Sequence, residues 1–311
     1  MLGTHYYNKW THEGAKKARD YYEEATKKDP EYAAAYVGLA NSYYQLGSEI
    51  GSFSPREAFP QAKRAIERAL EIDKTLSDAH TALGLIKLYY DWDWEGAEVE
   101  LKRGIELSPN SAVAHDDYSL YLGAVGRVDE AIAEAKRSLE LDPLSPIANS
   151  DLGLHYWLAQ QYDEAIAQFN KTIELDPDFS MAYWNIGYVY FEMGMLQEAI
   201  AALEKAVALS GEHPVIRATL GLVYAKADRK GKALKILEEL KQLSTGRYGP
   251  SLRIDHIYIG LGENDLALEW LEKAYEERDA TLVWLKVDRT YDSLRSDPRF
   301  KALLKKIGLE K

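Results

Sequence analysis

Seven histidines and fifty acidic side chains carry most of the chemistry open to this 311-residue chain, which has no cysteine. Without thiols there are no disulfides and no thiolate metal sites, though the redox compartment stays open. The histidines are His5, His12, His80, His115, His155, His213 and His256. A helical metal site needs a second histidine or a carboxylate at ligand spacing. Neither His80 nor His115 has one along its own helix, and both hold the same place in adjacent repeats, so packing is the expectation. Carboxylates such as Asp163, Glu164 and Glu198 stand at helix starts, where the helix dipole favours negative charge. Asn170-Lys171-Thr172 satisfies the glycosylation pattern but falls inside a helix. Phosphate-loop, dinucleotide, nucleophile-elbow and zinc-protease patterns are all absent from the sequence. The expectation is a chain that is not an enzyme, with no catalytic residue, no metal and no cofactor.

Charge and hydropathy narrow the partners. The net charge is −12, against the clustered Lys and Arg that a nucleic-acid surface needs. It favours partners that are neutral or basic. Hydrophobic residues make up 46% of the chain, enough for a packed core. No stretch of eighteen apolar residues occurs, so no membrane span is expected. Residues 1–20 lack the apolar centre of a secretory signal, and a cytoplasmic location is the expectation.

The elements that hold these residues follow a fixed beat. Ala97, Ala131, Ala165, Ala199, Ala233 and Ala267 are each 34 residues apart. Such a period means one unit copied along the chain and stacked. In 180–213, Tyr183, Ile186, Gly187 and Tyr190 share one helical face, and Gly194 ends that helix. Ala199, Leu203 and Ala206 repeat the face on a second helix, so the unit is a pair of antiparallel helices. Gly187 and Ala199 sit where the two cross, since larger side chains would force the axes apart. Asp29-Pro30, Ser108-Pro109, Asp142-Pro143 and Asp176-Pro177 punctuate the repeats.

Three places break the pattern. Residues 33–76 carry ten extra residues, from Ser48 to Phe53 and on into Ser54-Pro55-Arg56-Glu57, which reads as a capping box. That segment is either a binding-face insertion or a rim loop. Asp91-Trp92-Asp93-Trp94 fills the next turn with one added residue. One of its aspartates is expected to cap the following helix, and its tryptophans to pack between neighbouring repeats. At the ends, Leu2-Gly3 and Tyr6 match half of a first helix, which suggests a chain cut from a longer one. Asp297-Pro298-Arg299-Phe300 and the leucines after it read as an amphipathic cap with a Lys-rich outer face.

An aromatic or large residue, then Leu-Gly, Tyr, Ala, Phe, Ala and Pro at set offsets, resembles the tetratricopeptide repeat from about Leu2 to about Asp279. The expected fold is all-α: a right-handed α-solenoid of stacked helix-turn-helix units with a C-terminal helical cap. The expected boundaries are an array over 1–280, with a truncated repeat at 1–32. Full repeats follow near 33–76, 77–111, 112–145, 146–179, 180–213, 214–247 and 248–280, and a capping segment over 281–311. Asp91–Gly96, Glu140–Ser145, Ala267–Asp279 and Asp297–Leu309 further resemble the C-terminal repeat region of bacterial winged-helix regulators, Ser/Thr kinases and nucleotide cyclases.

The resemblance implies that the first helix of each pair lines a concave groove. At its exposed positions stand Asp116, Asp117, Leu120, Ser150, Asp151, Leu154, Trp157, Trp184, Asn185, Tyr188, Phe191, Arg253 and His256. The groove would have an aromatic centre at Trp157, Trp184, Tyr188 and Phe191, beside an acidic patch of Asp116, Asp117 and Asp151. Those aromatics either anchor a partner or pack against each other and the next turn of the superhelix. The Lys, Asn and Arg clamp that such arrays use for a terminal carboxylate is mostly missing. The expected function is a protein- or peptide-binding scaffold, the interaction or sensory module of a larger bacterial signalling protein. Its partner would be neutral to basic with apolar anchors, with no nucleic acid and no membrane. The alternative is a self-associating, homo-oligomeric repeat module.

Overall fold

The computed structural model describes residues 2–7, 9, 11–48, 53–211, 213–244 and 253–310, and among these there is no strand. The chain is a row of helix pairs: α1 (Leu2–Tyr7) and α2 (His12–Lys28), α3 (Ala33–Gly47) and α4 (Pro55–Ile72), α5 (Ser77–Ile86) and α6 (Trp94–Leu107). Next come α7 (Ala112–Val125) and α8 (Val128–Leu141), α9 (Pro146–Leu158) and α10 (Tyr162–Leu175), α11 (Ser180–Glu192) and α12 (Leu196–Leu209). The last pairs are α13 (Pro214–Lys226) with α14 (Lys230–Ser244) and α15 (Ile254–Leu261) with α16 (Asn264–Glu276). Two 3-10 turns, Ala280–Trp284 and Arg289–Leu294, lead to α17 (Pro298–Lys306). This is an all-α solenoid.

Small residues let each pair close. A Cβ on Gly153 would lie 2.5 Å from the Phe169 ring, and one on Gly187 would lie 2.6 Å from Leu203. The periodic alanines from Ala97 to Ala267 are all fully buried. From α5/α6 onward the turn inside each pair has its own 34-residue beat: Trp92, Gly126, Gln160, Gly194, Asp228 and Gly262 all have positive φ. A left-handed residue there lets the chain reverse and satisfies the last helical carbonyls.

From α3 to α11, successive first helices touch one another more closely than successive second helices do. The stack therefore curves with the first helices inside. It curves far enough to meet itself, and one apolar core runs from Val37 to Leu309.

The inserted segment after α3 is pinned at its base, where the Phe53 amide donates to the Leu46 carbonyl at 3.0 Å. Residues 49–52 of that insertion lie outside the described residues. Glu57 closes the capping box, accepting from the Ser54 amide at 3.1 Å. The added residue of the next repeat is absorbed as a π turn over Lys87–Asp91. Asp93 caps α6, accepting from the Gly96 amide at 3.0 Å, while Asp91 pairs with Lys63 at 2.7 Å.

The two tryptophans of that turn depart from expectation. They pack on the far end of the chain instead of on adjacent repeats. Trp92 stacks on Tyr275 at 5.3 Å with the Arg278 guanidinium 4.6 Å from its ring. Trp94 donates from Nε1 to the Ile307 carbonyl at 2.6 Å. The Arg278 guanidinium also donates to the Tyr90 carbonyl at 3.0 Å, and Arg56 to the Glu276 carbonyl at 2.8 Å. Curvature, which no local pattern encodes, brings these residues together.

Candidate binding surface

The centre of the concave face is filled by the protein itself. Trp184 and Tyr188 on the inner face of α11 are each 5% exposed. Trp184 Nε1 donates to Thr219 Oγ1 at 2.9 Å, and Thr219 donates to the Tyr188 hydroxyl at 3.1 Å. The Arg253 guanidinium donates to the same hydroxyl at 3.3 Å, so Tyr188 must donate onward to His256 Nδ1 at 3.1 Å. His256 then carries its proton on Nε2 and donates to Tyr291 at 2.9 Å. Tyr291 donates to Asp255 Oδ2 at 3.0 Å. This chain of hydrogen bonds ties α11, α13 and α15 to the second 3-10 turn. Burial pushes the Asp255 carboxyl up to about 7 and the Tyr291 phenol well above its usual range, and holds His256 well below its own.

The expected aromatic groove is therefore corrected at its centre. Asp116, Ser150, Trp184, Tyr188, Arg253 and His256 are buried, and His256 is completely so. The physical reason is closure: α15 and the C-terminal turns lie over α11 and replace solvent there. Leu282, Val283, Leu285, Leu294, Phe300, Leu303 and Ile307 are all buried in that segment. Seven such side chains contribute roughly 10–20 kcal/mol.

What stays open is a strip on α7, α9 and α11. Asp117, Leu120, Asp151, Leu154, Trp157, Asn185 and Phe191 are half-buried there. Asn185 donates to Ser150 at 3.3 Å, and the Trp157 ring lies 5.7 Å from that of Tyr188. One rim of the strip carries Glu192, which accepts from the Tyr162 hydroxyl at 2.9 Å, while Arg289 donates to that hydroxyl at 3.1 Å. Burial raises the Glu192 carboxyl above its ordinary value.

At the other end Asp116, Asp117 and Asp151 stand together. Asp116 and Asp151 are in hydrogen-bond contact with each other, Asp117 lies beside Thr81, whose hydroxyl donates to the Asp78 carbonyl at 3.2 Å, and Asp78 of α5 and Tyr7 of α1 stand close by. Burial pushes Asp116 up to about 7. Asp117 and Asp151 stand well above the carboxylate range, through burial first and then the Asp116 charge. Both keep some surface open to solvent although protein surrounds them.

His80 and His115 each bridge the two helices of their own pair. His80 Nδ1 meets Glu100 at 2.7 Å and His115 Nδ1 meets Glu134 at 2.6 Å, each carboxylate coming from the second helix of its own pair. Their Nε2 atoms face the carbonyls of Lys74 and Pro109, both at 3.1 Å. His155, absent from the expected set, lies behind the acidic patch with Nε2 2.9 Å from Ser119 Oγ, and burial lowers it to about 3. Its one signal in the sequence is Ser119 in the place where other repeats have glycine. Among the described residues no group of three potential ligands is arranged to hold a metal, and no helix is long and apolar enough to cross a membrane. Where the start of α2 meets α11 and α13, a cavity of about 350 Å³ is lined by His12, Phe179, Trp184 and His213 among others.

Fold and surface together define an all-α solenoid of stacked helix pairs closed on itself. Three repeat families match: a TPR repeat over residues 158–194 and tetratricopeptide repeats over 190–246 and 8–49. No curated protein matches the chain. Among solved structures, that of Pseudomonas aeruginosa pilF is 19% identical, covers 75% of this chain and 96% of its own, and has a TM-score of 0.52. PilW, titled a widely conserved type IV pilus biogenesis factor, is 19% identical with a TM-score of 0.55, covering 70% of this chain and 96% of its own. The APC/C hetero-tetramer Cut9–Hcn1 is 18% identical with a TM-score of 0.61, covering 80% of this chain and 47% of that one. At such identities the likeness is one of fold.

Proposed function

We propose that this chain is a non-catalytic scaffold that holds an extended segment of another protein against the open strip on α7, α9 and α11. The segment is neutral to basic and carries apolar anchors. The observation that carries this reading is the strip itself. Leu120, Leu154, Trp157 and Phe191 keep part of their surface exposed on three successive inner helices, next to carboxylates on the same face. Apolar side chains in a concavity with an acidic margin suit a peptide hot spot. The matched repeats support a scaffold, since arrays of this kind act in protein interaction. The resemblance to repeat regions of bacterial signalling proteins supports an interaction or sensory module of a larger cytoplasmic protein.

The test is selection of random twelve-residue peptides displayed on phage against the whole chain. Recovered peptides are expected to combine Lys or Arg with Leu or an aromatic. A Leu154→Glu/Phe191→Ser variant should bind them at least about tenfold more weakly while melting at an unchanged temperature. Recovery of acidic peptides only, or undiminished binding by the variant, overturns the reading.

A further inference from the structure

We propose that the acidic end of the strip is a subsite for one lysine or arginine side chain of the bound segment. This rests on the scaffold reading and names what recognises the basic residue. The carboxylates come from the inner faces of α5, α7 and α9: Asp78, Asp116 with Asp117, and Asp151. None of the four makes an ion pair within the described residues. Asp78 is exposed, but other carboxylates buried like Asp116, Asp117 and Asp151 have a donor: Glu100 has His80, Asp288 has Arg253 and Asp255 has Tyr291.

A second observation points to a missing donor. Asp116 is only 8% exposed, and its Oδ1 has no hydrogen-bond partner. An orphaned carboxylate oxygen at that depth is costly until an N–H reaches it. The neighbouring Asp117 and Asp151 keep accessible surface, so a side chain from the strip has a way in. The absence of a three-ligand metal arrangement among the described residues favours an organic cation. A guanidinium fits a carboxyl pair best, because its planar fork donates to two acceptors at once.

The charge balance is explicit. Asp116 and Asp151 stand in hydrogen-bond contact, which requires a proton on the pair. When the cation enters, that proton leaves to solvent, both groups stand ionised against the guanidinium, and no covalent bond changes. Asp117 acts on the pair and is itself flanked by Asp78 and Tyr7, while His155 behind the patch is held neutral by burial. Ionising the pair against the cation releases protons, so binding weakens as pH falls.

The experiment titrates the whole chain with arginine amide, citrulline amide and calcium ion separately, followed by NMR amide shifts. Arginine amide is expected to move signals of α7 and α9, with citrulline amide at least about tenfold weaker and calcium leaving them in place. Asp151→Asn should lose most of the arginine response, and calorimetry in buffers of different ionisation heat should report a released proton. Citrulline binding as well as arginine, calcium reproducing the shifts, or no response to arginine overturns the subsite. Peptides that bind the strip without any basic residue would sink the subsite and leave the scaffold standing.

Discussion

Asp116 and Asp151 place two carboxyl groups in one hydrogen bond, and that has a cost which depends on pH. Burial raises Asp116 and Asp255 to about 7, and Asp117 and Asp151 further. The unfolded chain ionises such groups near pH 4. Between about pH 4 and 7 the folded protein therefore holds more protons at these sites than the unfolded chain, and their contribution to stability falls as pH rises. His155 and His213 act in the opposite sense, lowered by burial to about 3 and about 4. They take up protons only on unfolding below about pH 6.5, so stability is lost as pH falls. Asp116→Asn removes one carboxyl without changing shape. It is expected to stabilise the fold by about 1–3 kcal/mol at pH 8, with the gain shrinking toward pH 4. Thermal melts across that range check this, and a lower melting temperature at pH 8 contradicts it. The acidic residues of the patch were legible from repeat positions. Their mutual hydrogen bond was not, because it joins α7 to α9 and depends on how far each helix rolls.

Helix pairs repeat with more than their core. The left-handed turn residue recurs at Trp92, Gly126, Gln160, Gly194, Asp228 and Gly262, and three of these carry side chains that resist positive φ. Gly194 has open space around the place of a Cβ, so its cost on substitution is conformational alone. Gly194→Ala is expected to lose about 1 kcal/mol, and Gln160→Gly to gain up to about that much. Urea denaturation of both variants gives the signs directly, and like signs would remove the argument. The glycine at Gly194 announced its turn in the sequence. Gln160 and Asp228 did not, since their backbone is set by the helices on either side. Three N-caps past the array, Asp279, Asp288 and Asp297, are nine residues apart and each accepts from the amide two residues on at 2.8 Å. That beat is visible in the sequence once the 34-residue period is set aside.

The molecule as a whole is coupled end to end, unlike an open repeat array whose units lean only on neighbours. Trp92, Trp94, Arg56 and Arg278 join the second and third helix pairs to the end of α16 and to Ile307 just past α17. Trp94→Ala is expected to cost about 3 kcal/mol. It should raise hydrogen exchange in residues 87–94 and 303–309 together, with α10 and α11 little affected. Unchanged protection of 303–309 in that variant, read by mass spectrometry, would show that closure does not couple the ends.

The 34-residue beat, the crossing of small residues and the proline stops fixed an all-α stack of hairpins, because each is a local rule acting within one pair of helices. The acidic patch and the apolar strip followed from positions within the repeat. Which of those side chains meet solvent was decided by curvature. Small rotations between successive pairs add up along the stack, carry the C-terminal turns onto α11, and bury Trp184, Tyr188, Arg253 and His256 while leaving Trp157 and Phe191 half open. No residue spacing records that sum, since it belongs to the packing of every pair at once.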